Sequence, residues 1–351
     1  MAYTPDPTDS SQPVSGVKAS TAAAEFRALK QYIAALAGLT PITSISALTV
    51  QQLNGGQLAG LRNRVINGGC QVQQGVTATL STSPQYGNVD GYLVSTTGTG
   101  ISGNVREISA SEFLATGVGV GVLGSWTTGA PQIEQRIEAK STIDLNGKTV
   151  TISGRLFHTL GSTRSVRVQL NRPTTTADVF SAQTVLGSSD VFSCTDSAAT
   201  AFSFTIALGA TDAEKGLAIQ VFDTATSTVV SKIFAISELQ LETGTVATPF
   251  EMRPAGLELA LCQRYYEVGA ASQLWSGYTV ITSVYYVSTR YSITKRVAPT
   301  LTYSDVANSS FPAGLVTFLN TSTDGFTVSK TANVTANTGY YQFNWIANAR
   351  L

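Results

Sequence analysis

SELQLETGTVATPFEMRPAGLELALCQRYYE, residues 237–267, decides how this chain is read. Leu239 and Leu241 alternate with Glu238, Gln240 and Glu242, the period of two that a strand requires. The two leucines point one way; the polar three point toward water or a neighbour. Gly244 permits a backbone reversal. Pro249 biases Thr248 toward an extended state, and Phe250 is placed to anchor the turn. Glu251 and Arg253 are spaced to pair, an interaction of little worth if exposed. Leu257, Leu261 and Arg264, with Leu259, Ala260 and Cys262 between them, predict a short helix with a broad apolar face. A Tyr-rich strand follows. The stretch therefore joins two β-regions, and we expect a rigid connector there rather than a binding site.

Upstream of the joint, strand-like runs recur at 132–139, 148–157, 164–170, 201–207, 217–222 and 232–241. Several alternate cleanly: Val150 and Ile152, then Leu156 beyond Gly154; Val166, Val168, Leu170; Phe202, Phe204, Ile206; Ile219, Val221. The last run shifts phase, from Phe234 and Ile236 to Leu239 and Leu241, which predicts a bulge near Ser237. The stretch 81–104 reads as turn-rich. Period-two patterns punctuated by turns predict an antiparallel sandwich, and about eight strands suit a jelly roll. Downstream, runs at 277–292, 297–304, 315–320, 325–330 and 338–350 predict a smaller β-sandwich. In the last run large residues fall on both faces, Tyr341, Phe343 and Trp345 against Tyr340, Gln342 and Ile346. Cover on both sides, the outer one from neighbouring subunits, is the expectation.

Ahead of the sandwich, residues 1–19 are polar and Pro-rich. Ser20 and Thr21 can cap a helix over 21–37, with Glu25 in its first turn. Phe26, Leu29, Ile33 and Leu36 step by three, four and three, a narrow seam of coiled-coil type. So short a helix is marginal alone and calls for partners, a homotrimer best. The expected organisation is 1–64 as an N-terminal segment with helix and linker, 65–254 as a jelly-roll domain and 255–351 as a C-terminal β tip. The fold class is mainly β.

Charged residues make up 13% of the chain, about half the usual share. Basic and acidic residues balance at 22 each, which leaves no field for nucleic acid. No apolar run reaches the roughly 18–20 residues that cross a bilayer, so no membrane insertion is expected. The first residues lack the basic and apolar regions of a signal peptide. Cys70, Cys194 and Cys262 are far apart and read as reduced, buried small hydrophobes. His158, the single histidine, is expected at a partly exposed strand end. No GxSxG elbow, metal-ligand spacing or parallel β-helix repeat occurs. No catalytic or cofactor-binding set is therefore expected, and the chain reads as non-enzymatic.

Asn67-Gly68, ISELQLETGTVATPFEMRP (236–254), GLELALCQRYYE (256–267) and the closing YYQFNWIANARL together resemble bacteriophage tail-fibre and receptor-binding virion proteins with a carbohydrate-binding-module-like jelly roll. YTPDP and STAAAEFRALK resemble the virion-anchoring start of such fibres. The resemblance implies a virion fibre made in the host cytoplasm. Residues 1–37 would attach it to phage tail proteins, less readily to the head, and its distal β-domains would bind host cell-surface polysaccharide. A head fibre or structural tail protein without a receptor role and a glycan depolymerase are the alternatives. A structural calcium is a further option, with Glu238 or Glu242 as a ligand. Glycan contact needs aromatic platforms beside hydrogen-bonding groups. Trp275 and Tyr278, flanking Gly277 in a predicted loop, are the first candidates. Trp126, in the predicted loop GSWTTGAP, is the candidate in the sandwich, or else a core anchor.

Overall fold

The computed structural model describes residues 61–351 except 112, 114, 115, 270, 271 and 315, together with residues 29, 52, 53, 56 and 57. Of the expected helix seam only Leu29 is included; it is helical and exposed, while Phe26, Ile33 and Leu36 lie outside the described residues. Residues 52–351 form one compact unit. It opens with a small ladder between β1 (Gln52–Leu53) and β2 (Gly56–Gln57).

The sandwich strands are β3 (Ala78–Thr79), β4 (Gln85–Tyr86), β5 (Tyr92–Thr96), β6 (Thr99–Ser109), β7 (Val118–Gly129), β8 (Pro131–Ile137), β9 (Thr149–His158), β10 (Arg164–Pro173), β11 (Gln183–Ser188), β12 (Phe192–Cys194), β13 (Thr200–Ala207), β14 (Leu217–Asp223) and β15 (Ser227–Thr243). One sheet runs β11-β10-β14-β8-β5-β4, with β12 also on β10; the other runs β13-β9-β15-β7-β6-β3. The quartets β11-β10-β14-β8 and β13-β9-β15-β7 interleave along the chain as a jelly roll does. The remaining strands extend it on one side. The residues expected to face inward do so: Val150, Ile152, Leu156, Val166, Val168, Leu170 and Val221 are all 0% exposed. Each such side chain contributes roughly 1.5–3 kcal/mol by leaving water.

Where the sequence read as turns, the structure has strands β4, β5 and β6, and Trp126 stands in β7 rather than in a loop. Glycine hides β6 and β7 from a pattern of side chains. It is needed where backbones crowd: a Cβ on Gly121 would sit 2.1 Å from the Phe234 carbonyl, and one on Gly119 2.4 Å from the Phe113 ring.

The bulge forms as expected. The β9–β15 register shifts between Ser237 and Gln240, and Glu238 takes a left-handed φ of 55°. The shift turns Leu239 and Leu241 into the core, both 0% exposed. Gln240 and Glu242 are buried as well, so the neighbour they face is the chain's own turn. Thr248 donates to Glu242 through its N–H (2.8 Å) and its hydroxyl (2.7 Å), and the Glu251 N–H donates to Gln240 Oε1 (2.9 Å).

Below this turn, Arg253 is buried rather than exposed. Its guanidinium donates to the carbonyls of Asn63 and Val65 and to Glu258 (3.3 Å), and Glu258 in turn accepts from the Asn67 N–H. Asn63 completes the knot, donating to the Leu239 carbonyl (3.0 Å) and accepting from the Leu241 N–H (3.1 Å). Glu258 belongs to α1 (Ala255–Gln263), whose buried residues are Glu258 and Cys262. The expected broad apolar face is not the one that packs: Leu257 and Leu259 are each 38% exposed. The need of Arg253 for an anion rotates the helix.

The tip comprises β16 (Tyr266–Val268), β17 (Gln273–Thr279), β18 (Val284–Arg290), β19 (Thr300–Ser309), β20 (Thr317–Leu319), β21 (Gly325–Thr331) and β22 (Ala336–Asn348). Strand β22 is central to one sheet, pairing β16, β17 and β19; β18-β21-β20 forms the other. Tyr341, Phe343 and Trp345 pack inward against Phe326 and Val328. Among the described residues nothing covers the outer face of β22, where Tyr340 is 38% exposed.

Charge joins tip to sandwich. Arg264 meets Glu138 (2.9 Å), Arg296 meets Asp178 (3.5 Å) and Arg350 meets Asp90 (3.4 Å). Arg350 also lies over the rings of Tyr266 and Tyr86, at 3.6 Å and 4.6 Å from their centroids.

Two outcomes are expected. Arg253→Ala strands the Glu258 carboxylate in the interior and should cost about 3–5 kcal/mol in urea unfolding. Burial lifts the Asp90 carboxyl from 3.8 to about 6, against the opposing pull of Gln74 and Arg350. The folded state thus holds this proton more tightly than the unfolded chain does. The stability it contributes is complete below pH 3.8 and is lost as pH rises through about 6. Asp90→Asn should therefore gain stability relative to the parent between pH 4 and pH 7.5 in paired urea titrations; a constant difference would contradict this.

Candidate functional site

The outward positions of β10, β14 and β8 carry long polar side chains in register. Gln169 pairs with Gln220 and Gln220 with Glu134. One row along, Arg167 pairs with Phe222, and Phe222 with Gln132. Strand alternation turns the small and branched residues between them into the core, so this polar band is the other half of the pattern that builds the sandwich.

The band is knitted together. Gln220 Nε2 donates to Glu134 Oε2 (2.8 Å) and Gln183 Nε2 to Glu134 Oε1 (3.1 Å). Arg136 donates to the same carboxylate (2.5 Å), and its guanidinium lies 5.2 Å from the Phe180 ring centroid. Gln169 Nε2 donates to Asn171 Oδ1 (2.8 Å), and Asn171 Nδ2 to Gln183 Oε1 (3.1 Å). Glu134 and Asn171 are buried; Gln169, Gln183 and Gln220 remain half-exposed. Arg167 Nε is shielded from solvent and has no hydrogen-bond partner among the described residues. The face thus offers rigid amides that both donate and accept, one neutralised carboxylate and the half-buried ring of Phe222. Carbohydrate hydroxyls, which also donate and accept, match such a surface.

The residues chosen from sequence fall elsewhere. Trp126 is 1% exposed, packed in the sandwich core, with its indole N–H donated to the Gly129 carbonyl (3.1 Å). It is the core anchor, and no sugar reaches it. Trp275 and Tyr278 lie on strand β17 instead of a loop, paired with β22. Three positions apart on a strand, they face opposite ways. Trp275 packs inward on Tyr285, Phe311 and Tyr341, at centroid distances of 4.4, 5.5 and 6.0 Å. Tyr278 is 58% exposed and available. They do not form one platform.

His158 is 0% exposed rather than at an open strand end. One ring nitrogen bonds the Cys194 carbonyl (3.1 Å) and the other accepts from the Leu160 N–H (3.3 Å), so the imidazole fastens a loop. The three cysteines are free and buried, and burial pushes the Cys70 thiol up to about 12. Among the described residues, no three His, Cys, Asp or Glu side chains gather as a metal site would require. Glu238 turns to Arg155 (3.1 Å) and Glu242 to Thr248.

No family model and no curated protein matches the chain. Solved structures do. The enzymatically active domain of tailspike protein 4 of bacteriophage CBA120 superposes with a TM-score of 0.32 at 12% identity, over 52% of this chain and 21% of that one. The xylan-binding CBM22-1 domain of Paenibacillus barcinonensis Xyn10C gives 0.31 at 13% identity, over 50% of this chain and 99% of the module. The family 11 carbohydrate-binding module of Clostridium thermocellum, solved with a mixed-linked tetrasaccharide, gives 0.27 at 15%, over 49% and 98%. This chain thus spans about a fifth of the length of that tailspike chain. By its own strand order, it is a jelly-roll β-sandwich protein carrying a second, smaller sandwich.

Trp126→Ala should lower stability by about 3–5 kcal/mol, the cost of a large core cavity. Calorimetry on this variant and on Tyr278→Ala, which should unfold like the parent, checks both placements.

Proposed function

We propose that the chain is a non-enzymatic fibre protein of a bacteriophage virion. Residues 1–37 attach it to the tail, it assembles as a homotrimer, and its sandwich binds host surface polysaccharide through the polar face of β8, β14 and β10. The observation that carries glycan binding is the in-register band of Gln169, Gln220 and Glu134. The joint sequence at 237–267 supports the fibre assignment. Trimerisation would place three weak faces on one particle, raising avidity by roughly 10²–10⁴ for each linked engagement.

A glycosidase needs two carboxylates astride the bond, one of them free to act as acid. On this face Glu134 is already held by Arg136, Gln183 and Gln220, which favours binding over cleavage.

The test is affinity electrophoresis of the full chain in gels containing host surface polysaccharide. Gln169→Ala with Gln220→Ala should weaken retardation about tenfold or more, the worth of two hydrogen bonds near 0.5–1.5 kcal/mol each. Unchanged mobility of the double variant would refute the face. Release of reducing ends would favour a depolymerase, and failure of saturating protein to block phage adsorption would favour a purely structural role. Sedimentation at micromolar concentration should give a trimer.

A further inference from the structure

We propose that a pocket at the β15 bulge, on the sheet opposite the polar face, is a second saccharide site that takes one uncharged sugar residue of an extended glycan. The pocket is an open hollow of about 310 Å³, near the lower end of small-ligand sites. Its floor is the cross-strand pair Ser153 and Ser203. Among the described residues neither hydroxyl has a hydrogen-bond partner, whereas the next pair on that face, Thr151 and Thr205, is closed on itself at 2.9 Å. Arg155 and Glu238 stand at one side and Phe250 and Phe202 supply the apolar wall.

The bulge is what puts Glu238 there. In a regular ladder this position would follow the leucines' alternation; the extra residue lifts Glu238 out of the pairing and aims it across the pocket at Arg155. A glutamate at φ 55° is held in a conformation that glycine or asparagine adopts more readily. Strain of this kind collects at binding sites. The bulge alone does not require glutamate.

The ligand class follows from the lining. Arg155 and Glu238 neutralise each other, so a charged ligand gains nothing net. Arg155 still presents donors beside two open hydroxyls. Phe250 is half-buried, and its ring can meet the C–H face of a pyranose. The pocket does not end at one ring. Across Ala201, Phe202 and Ser203 it adjoins a wider trough of about 670 Å³ along β13, walled by Ser188, Ser193 and Thr200 among others. A chain of sugars has somewhere to continue.

The experiment is saturation-transfer NMR on the full chain with D-glucose, D-galactose and N-acetyl-D-glucosamine, and with oligosaccharides of each. Ser203→Trp, an exposed position, fills the pocket; Glu238→Asn keeps the left-handed backbone comfortable while removing the carboxylate. For at least one sugar, both variants should lose the signal fivefold or more, with larger signals from the oligosaccharide than from the free sugar in the parent. Glu238→Asn should melt at or above the parent temperature. The Gln169→Ala, Gln220→Ala double variant should keep this signal. The proposal is overturned if no sugar gives a signal that Ser203→Trp removes, or if Glu238→Asn lowers the melting temperature as much as Arg155→Ala does. Loss in the double variant with no effect of Ser203→Trp would remove this pocket and leave the polar face standing.

Discussion

One buried arginine organises the described chain. Arg253 cannot be neutralised, and a guanidinium away from water needs hydrogen-bond partners and an anion; both its terminal nitrogens have them, while its Nε has no hydrogen-bond partner among the described residues. Its partners are the Asn63 and Val65 carbonyls and Glu258. Meeting that demand draws three separate pieces of chain together: the segment entering the sandwich, the turn leaving it and the helix leading to the tip. Asn63 then pairs with the backbone of Leu239 and Leu241 just beyond the bulge. The strand phase, the turn and the helix face are set by one another, and none would be stable in its observed form alone.

The same dependence explains what could and could not be read in advance. Strands whose inward positions are Val, Ile and Leu announce themselves, and β9, β10, β14 and β15 were legible to within a few residues. The bulge was legible too, because a phase shift between Ile236 and Leu239 has no other simple cause. Strands β6 and β7 were not, since Gly103, Gly119 and Gly121 mark close backbone approaches and leave no side chain to alternate. The helix misled because apolar content suggests which face is buried, while here Glu258 and Cys262 go inside. Even an exposed-looking charge pair such as Glu251 and Arg253 gives no sign from spacing alone that it sits under a turn.

Aromatic residues were poor guides to a site for a related reason. In the tip, most large rings are needed to fill the space between two small sheets, as Trp275, Tyr341 and Trp345 do. In the sandwich the core already has aliphatic residues enough, and the chemically useful positions are the outward ones. Gln169, Gln220 and Glu134 occupy the polar half of the alternation, which in a sequence looks merely solvated. What distinguishes them is length and registration across three strands, and registration is a property of the fold. Arg167, left with an unmet donor among the described residues, is likewise visible only once its neighbours are placed.

The joint between sandwich and tip has a consequence for how such chains can diversify. Its three ion pairs, Arg264 with Glu138, Arg296 with Asp178 and Arg350 with Asp90, set all the cations on one side and all the anions on the other. Compatibility is therefore written in these six side chains together with the stacking of Arg350 on Tyr86 and Tyr266 and the bonds of Tyr86 and Arg136 to the Leu351 carbonyl. A recombination event near the helix would deliver a foreign tip that docks when it carries the three arginines and the Tyr266 and Leu351 contacts, whatever its outer loops. The parts can be exchanged as a plug is exchanged between sockets, with the pin pattern inherited and the device free to change.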